Sequence, residues 1–178
     1  MDNNFIKLSR ECDGVLIPSG EALKLKKGTP VKITQSLGGY FTLYVNGNLV
    51  KLNGEFADAI GKKIDGVQQD NKDNTFDEKL LWDQLRTCYD PEIPVNIVDL
   101  GLIYDLYYEE SSKNKYYIKI KMTLTAPGCG MGPAIAADVE TKIKSLHFVM
   151  DVLVELVWDP AWSQDMMTEE AKLKLGMI

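Results

Sequence analysis

Arginine is almost missing from this chain of 178 residues: Arg10 and Arg86 are the only two among 20 basic side chains, set against 26 acidic ones and a formal net charge of −6. A protein that lives on nucleic acid carries a basic stripe that releases counterions from phosphates. None is present, so nucleic acid is excluded as a partner class. Long apolar runs are lacking too. The most apolar stretch, 148–158, is broken by Asp151 and Glu155, and it falls well short of the roughly 20 residues that span a bilayer. No membrane partner is expected. Residues 1–10 lack the apolar centre of a secretory signal. Cysteine is sparse and odd in number, Cys12, Cys88 and Cys129, with no pair spacing. That argues against a disulfide framework and for a reducing compartment, the cytoplasm. Histidine occurs once, as His147.

What is present is the composition of a globular protein, 45% hydrophobic and 26% charged. The first half reads as short strands. Val31 to Thr34 alternates apolar with polar, Gly38-Gly39 turns the chain, Phe41 to Val45 runs back, Asn46-Gly47 signals a second hairpin, and Leu49 to Leu52 makes another strand. Residues 14–25 are expected to add an edge to this meander. Residues 62–74, rich in Lys, Asp, Asn and Gln, read as a polar linker.

The second half mixes both periods. Thr75 and Glu78 have capping-box spacing, and Leu81, Leu85 and Cys88 follow on one helical face, a helix expected to run to near Asp90, before Pro91. Leu102, Tyr104, Leu106 and Tyr108 alternate along one strand; Ile118, Ile120, Met122 and Leu124 alternate along the next. Pro133 opens a helix whose apolar face carries Ile135, Val139, Ile143 and Leu146. Met150 to Trp158 alternate along a final strand, and strand–helix–strand implies a parallel neighbour. Thr168 opens a short terminal helix ending at Gly176. The expectation is α+β: a small N-terminal antiparallel β domain, 1–61, the linker, and a C-terminal domain, 75–178, with a mixed three-stranded sheet and helices packed on one face.

The chemistry gathers in residues 127–133, Pro-Gly-Cys-Gly-Met-Gly-Pro. Glycines around a single thiol, Gly128 and Gly130 among them, let backbone approach a ligand closely. A loop feeding a helix N-terminus favours an anion, so a thiolate at Cys129 suits a soft metal or an electrophile. The competing reading is a strand-to-helix turn with Cys129 as filler. His147 lies about 21 Å along the same helix, too far to act as its base, so a self-contained thiol enzyme is not expected. It reads instead as an exposed cap. Asp90 and Glu92, stiffened by Pro91 and Pro94, are carboxylates that can complete an iron or zinc shell, or merely cap turns. Asp99 reads as closing the turn before Gly101. Trp158 and Trp162 either pin the segment after the last strand over the Cys129 loop or pack it down.

Clusters generally take four thiolates, and this chain offers one open candidate. Stable storage by a monomer does not fit that count; transient binding of iron or an iron–sulfur cluster, completed by a second protomer or a partner, does.

These same residues carry a family resemblance. Asp-Pro-Glu-Ile-Pro at 90–94, Ile-Val-Asp-Leu-Gly-Leu-Ile-Tyr at 97–104, Met-Thr-Leu-Thr-Ala-Pro-Gly-Cys at 122–129 and Trp-Asp-Pro-Ala-Trp-Ser at 158–163 resemble, in order and spacing, the small iron–sulfur assembly domain of the PaaD-like and cytosolic cluster-targeting factors. The first half, with Ile-Pro-Ser-Gly at 17–20 and Ile-Thr-Gln-Ser-Leu-Gly-Gly at 33–39, resembles the N-terminal extension of the SufT family. The resemblance implies an auxiliary role in maturing iron–sulfur proteins, without a firmly assigned enzymatic reaction, and an enzyme is not expected. Its implied partners are an assembly scaffold and client apo-proteins, with a homodimer as a further option. It marks Cys129 as the reactive position, with Asp90, Glu92 and Thr125 near it. Relatives vary after the Cys, so Met131 takes no role by resemblance. Three readings follow: a transfer or targeting factor that works through Cys129, an adaptor that binds scaffold and clients while Cys129 is structural, and a thiol enzyme that borrows its base from a partner, which the lone distant His147 disfavours.

Overall fold

The computed structural model describes residues 4–63 and 75–178. The chain divides into two compact units, 1–67 and 68–178, and most of the expected linker, 62–74, lies outside the described residues.

The first unit is one antiparallel sheet built from β1 (Ile6–Lys7), β2 (Cys12–Ile17), β3 (Ala22–Leu25), β4 (Pro30–Leu37), β5 (Tyr40–Val45) and β6 (Asn48–Asn53), ordered β1-β4-β5-β6-β2-β3. The expected meander is β4-β5-β6. Its second turn uses Asn46 at φ 48° and Gly47 at φ 89°, the left-handed pair that a two-residue hairpin demands. The expected edge at 14–25 is two strands, β2 and β3, with β2 seated beside β6. Val31, Leu43, Val50 and Leu52 are fully buried in the core, and a 3₁₀ turn, Gly54–Ile60, adds Ala57 and Ile60 to it. Arg10 forks onto Asp58 at 2.6 and 2.7 Å and ties the entering chain to that turn.

In the second unit α1 (Glu78–Leu85) is capped by Asp77, whose carboxylate accepts the Lys79 N–H at 2.9 Å. The expected cap at Thr75 is corrected by two residues, because Glu78 is engaged elsewhere: its carboxylate accepts from the Trp82 indole and the Tyr108 hydroxyl. The helix also stops short of Asp90. The Thr87 and Cys88 N–H groups close tight turns on Gln84 and Leu85, and the Thr87 hydroxyl donates to the Gln84 carbonyl at 2.6 Å.

The sheet of this unit runs β7 (Ile103–Ser112), β8 (Lys115–Met122), β9 (Val149–Leu156) in that order. β7 is antiparallel to β8; β8 and β9 are parallel, joined through α2 (Gly132–Lys144). Helices cover the face carrying Ile118, Ile120 and Met122, all buried, and α2 supplies Ile135, Val139 and Ile143 to the same core. Lys142 of α2 donates to the Thr87 carbonyl at 2.6 Å and pairs with Asp138 at 3.3 Å, holding α2 against the exit of α1. α3 (Glu169–Lys174) starts at Thr168, whose hydroxyl caps the Ala171 N–H.

This topology decides where function can sit. Parallel β8 and β9 end on the same side, and antiparallel β7 begins there. Three segments that are distant in sequence, 95–102, 123–131 and 157–167, are therefore delivered to one end of one sheet. Ligands of open α/β sheets gather at such carboxyl ends.

Candidate functional site

The Cys129 loop is anchored at both ends. At its start the sheet continues briefly: the Thr123 N–H donates to the Leu102 carbonyl and the Val157 N–H to the Met122 carbonyl, each at 2.8 Å. Leu124 then points into the core at 4% exposure, and beyond the loop Met131 does the same at 1%. Gly132 enters α2 so close to Leu124 that an added Cβ would lie 2.7 Å from its Cδ1. Between these anchors the chain comes to the surface. Gly128 sits at φ 76° with open space around it, Thr125 and Gly130 are half-buried, and the Cys129 carbonyl accepts the Gly132 N–H at 3.1 Å. No side chain caps the start of α2.

Cys129 is half-buried, whereas Cys12 and Cys88 are buried at 3% and 0% exposure. Cys88 sits just past the end of α1, its sulfur 3.7 Å from the Gln84 carbonyl. One thiol of three is therefore open to solvent, and it is the one on the glycine-flanked loop.

The carboxylates take other positions. Asp90 is 7% exposed; its side chain accepts the Glu92 N–H at 2.9 Å and its carbonyl the Ile93 N–H at 3.2 Å. Together with the Tyr89–Asn96 bridge, these bonds give it the turn-shaping role in the proline corner. Glu92 points outward and is exposed. Asp99 accepts from the Asn96 amide at 2.7 Å, while Asn96 accepts the Val98 and Asp99 N–H groups; the Asp99 carbonyl takes the Thr168 N–H at 2.9 Å. Asp99 closes the turn, as its place before Gly101 suggested. Among the described residues no group of three or more His, Cys, Asp or Glu is arranged to hold a metal ion, so Cys129, Asp90 and Glu92 are not gathered into a ligand set.

The segment after β9 packs on the turn before β7. The Trp162 indole donates to the Leu100 carbonyl at 2.8 Å, and the Tyr104 hydroxyl donates to the Pro160 carbonyl at 2.7 Å. A bulge lets Tyr104 do this: the register of β7 on β8 slips between Ile103 and Asp105, and such a slip re-aims a side chain. Trp158 stays 45% exposed. Tyr104, Asp105, Lys121, Asp159, Pro160 and Met166 line an open groove of about 740 Å³ at this end of the sheet. Alternation alone marked Tyr104 as a plain strand residue; nothing in the sequence announced the extra residue.

His147 corrects an expectation. Its ring is half-buried and stands edge-on to Phe148 at 5.4 Å, so it packs rather than capping in solvent. It remains beyond the far end of α2. Thr123, adjacent to the loop and 1% exposed, keeps a hydroxyl that has no hydrogen-bond partner among the described residues; no sequence pattern singled it out.

Comparison with known proteins gives a consistent picture. The profile of the iron–sulfur cluster assembly protein family matches residues 78–156, which include α1, the whole β7–β9 sheet and the Cys129 loop. An Fe-S protein maturation auxiliary factor of Porphyromonas gingivalis is 46% identical over 94 residues, 53% of this chain and 86% of the relative. The Fe-S protein maturation auxiliary factor SufT of Staphylococcus aureus is 39% identical over 88 residues, 49% of this chain and 96% of the relative. Among solved structures, the domain of unknown function DUF59 from Bacillus anthracis superposes with a TM-score of 0.51 at 37% identity, covering 57% of this chain and 92% of that one.

Proposed function

Because this chain belongs to the iron–sulfur cluster assembly family of protein maturation auxiliary factors, we propose that it acts as a transfer or targeting factor whose working group is the Cys129 thiol. The observation that carries this reading is the contrast between one half-exposed thiol, on a loop held open by Leu124 and Met131, and two thiols sealed in cores. Iron or a cluster is the cargo. A single thiolate supplies one of about four ligands, and the described residues offer no closed ligand set, so the remaining ligands come from the donor scaffold, the client apo-protein or a second copy. Cys129 holds one corner of the cargo during hand-over. The role is auxiliary and needs no proton-transfer partner. It fits a reducing cytoplasm, and no helix among the described residues is long and apolar enough to cross a membrane.

Replacement by Cys129→Ser tests the reading in a strain lacking the native protein. The circular dichroism and melting profile of the variant should match the parent, while the activity of iron–sulfur client enzymes falls to the level of the deletion. Full client activity would leave the adaptor reading instead, with Cys129 a structural residue. Anaerobic purification with iron and sulfide analysis, with and without Cys129, separates cargo binding from adaptor work.

A further inference from the structure

Charge is sorted by strand in the C-terminal sheet. β8, the middle strand, carries Lys115, Lys119 and Lys121 and no acid; β7 and β9, the two edges, carry only acids. Register makes this a cross-strand pattern: Asp105 lies opposite Lys121, and Lys121 opposite Glu155. On β9 both acids are met, Glu155 by Lys119 at 3.3 Å and Asp151 by Lys144 at 3.4 Å, while among the described residues no basic strand lies beyond the acids of β7.

β7 is the more open edge. Among the described residues it pairs with β8 alone, and all of its residues from Tyr107 to Ser112 are exposed, with Tyr107 at 55%. Its pairing slips at both ends, between Ile103 and Asp105 and between Glu110 and Ser112, leaving a regular stretch over 105–110. Natural edges are blunted by charged side chains, by proline or by bulges; within 105–110 the blunting groups are the acids Asp105, Glu109 and Glu110, which repel an acidic strand and leave the edge open to a basic one. Its free N–H and C=O groups form a template for one more strand.

We infer that the outer edge of β7 is a docking site for an extended segment of a partner protein, one that places Lys or Arg opposite Asp105 and Glu109 with an apolar residue between them opposite Tyr107. On its inner side the chain already meets Asp105 in this way, with Lys121 of β8 opposite it, while Tyr107 faces Lys119 and Glu109 faces Tyr117, so Glu109 has no basic residue opposite it in the register. A second copy of this chain fits poorly. An antiparallel β7–β7 pair centred on Tyr107 sets Asp105 against Glu109, and one centred between Tyr107 and Tyr108 sets Asp105 against Glu110; like charges directly opposite are destabilising. The occupant is therefore a basic strand. The bulges confine it to about six residues, which also prevents the sheet from growing further. This inference stands apart from the thiol chemistry and needs no cargo.

The probe is a labelled peptide, Gly-Thr-Lys-Thr-Val-Thr-Lys-Thr-Gly, titrated into the full chain, with a control carrying Glu at both Lys positions. Saturable binding of the basic peptide is expected, weakening as salt is raised, with hydrogen exchange slowed at 105–110. The acidic control should bind at least about tenfold more weakly, and the Asp105→Asn/Glu109→Gln double variant should lose about fivefold through two cross-strand charge pairs. Both replaced side chains are exposed, and a native circular dichroism spectrum confirms that the variant is folded. Equal binding of the two peptides, unchanged affinity in the double variant, protection mapping elsewhere or no saturable binding would each overturn the inference. Concentration-dependent dimerisation that protects 105–110 without peptide would overturn it in favour of a second copy.

Discussion

The backbone of Met166 rests on the one position of the 96–101 turn that has no side chain: a Cβ built on Gly101 would lie 2.2 Å from the Met166 carbonyl oxygen. Gly101 also sits at φ 75°. The contact joins a turn that precedes the sheet to a segment that follows it, and the Trp162–Leu100 and Tyr104–Pro160 hydrogen bonds reinforce it. The end of the sheet where the Cys129 loop emerges is thus braced by two segments about 60 residues apart in sequence.

Gly101→Ala should be among the most damaging single replacements in this unit. The left-handed conformation alone costs an L-residue about 1–2 kcal/mol, and the overlap with backbone has no flexible side chain to yield, so a total loss above about 2 kcal/mol is expected. Tyr104→Phe, which removes one hydrogen bond from the same brace, should lose about 1 kcal/mol. All three tryptophans, Trp82, Trp158 and Trp162, belong to this unit, so tryptophan fluorescence during urea unfolding reads both variants directly. Near-parental stability of Gly101→Ala would show that the brace is not closed in solution.

Two glycines of the Cys129 loop should fail for different reasons. Gly128 has a positive φ and open space, so Gly128→Ala costs about 1–2 kcal/mol of backbone strain and no neighbour can relieve it. Gly132 is crowded by Leu124 at 2.7 Å and Leu156 at 3.4 Å, so Gly132→Ala overpacks the core at about 1–3 kcal/mol. A second replacement, Leu124→Ala, should partly rescue Gly132→Ala and leave the Gly128→Ala effect unchanged, a non-additivity that a double-mutant cycle detects.

Thiol exposure gives a chemical test of the site. In the native protein iodoacetamide should label one cysteine rapidly, Cys129, with Cys12 and Cys88 reacting only on the timescale of unfolding; in denaturant all three should label. Peptide mapping of the alkylated protein identifies the positions. Rapid native labelling of Cys88, which is 0% exposed, would contradict the packing of α1 described above.

Strand period was the most legible feature. Ile118, Ile120 and Met122 alternate with Lys119 and Lys121 because one face of β8 meets helices and the other meets water, and that two-residue beat survives in sequence. The Asn46-Gly47 hairpin and the parallel return through α2 were readable for similarly local reasons. What was hidden depends on partners distant in sequence. Thr75 and Asp77 are both good caps, and the choice fell to Asp77 once Glu78 was drawn to Tyr108 in β7. The bulge at Tyr104 is visible only against the register of β8. Within the site, the glycine-flanked Cys129 was legible because loop composition is local, whereas the turn-shaping bonds of Asp90 and the placement of Trp162 on Leu100 required the fold.

The buried thiol of the first unit gives a pH dependence that can be worked out in sign. Burial is the main cause that raises Cys12 above the ordinary thiol range; Arg10 opposes it, and Asp13, Asp58 and Glu11 add to it. Below the unfolded value, about 8.5, both states keep the proton and the full contribution of this group to stability is present. Above it the unfolded chain releases its proton first, so stability falls as pH rises through the folded value. Unfolding of this unit, followed by the β5 amide resonances in urea at about pH 7.5 and about pH 9.5, should therefore show a lower midpoint at the higher pH. Cys12→Ala removes a buried side chain and lowers the midpoint at both pH values, so the absolute stability does not test the idea; the difference between the two pH values does. That difference should shrink in Cys12→Ala. An unchanged difference would mean that the thiol ionises as readily in the folded unit as in the unfolded chain, contrary to its 3% exposure.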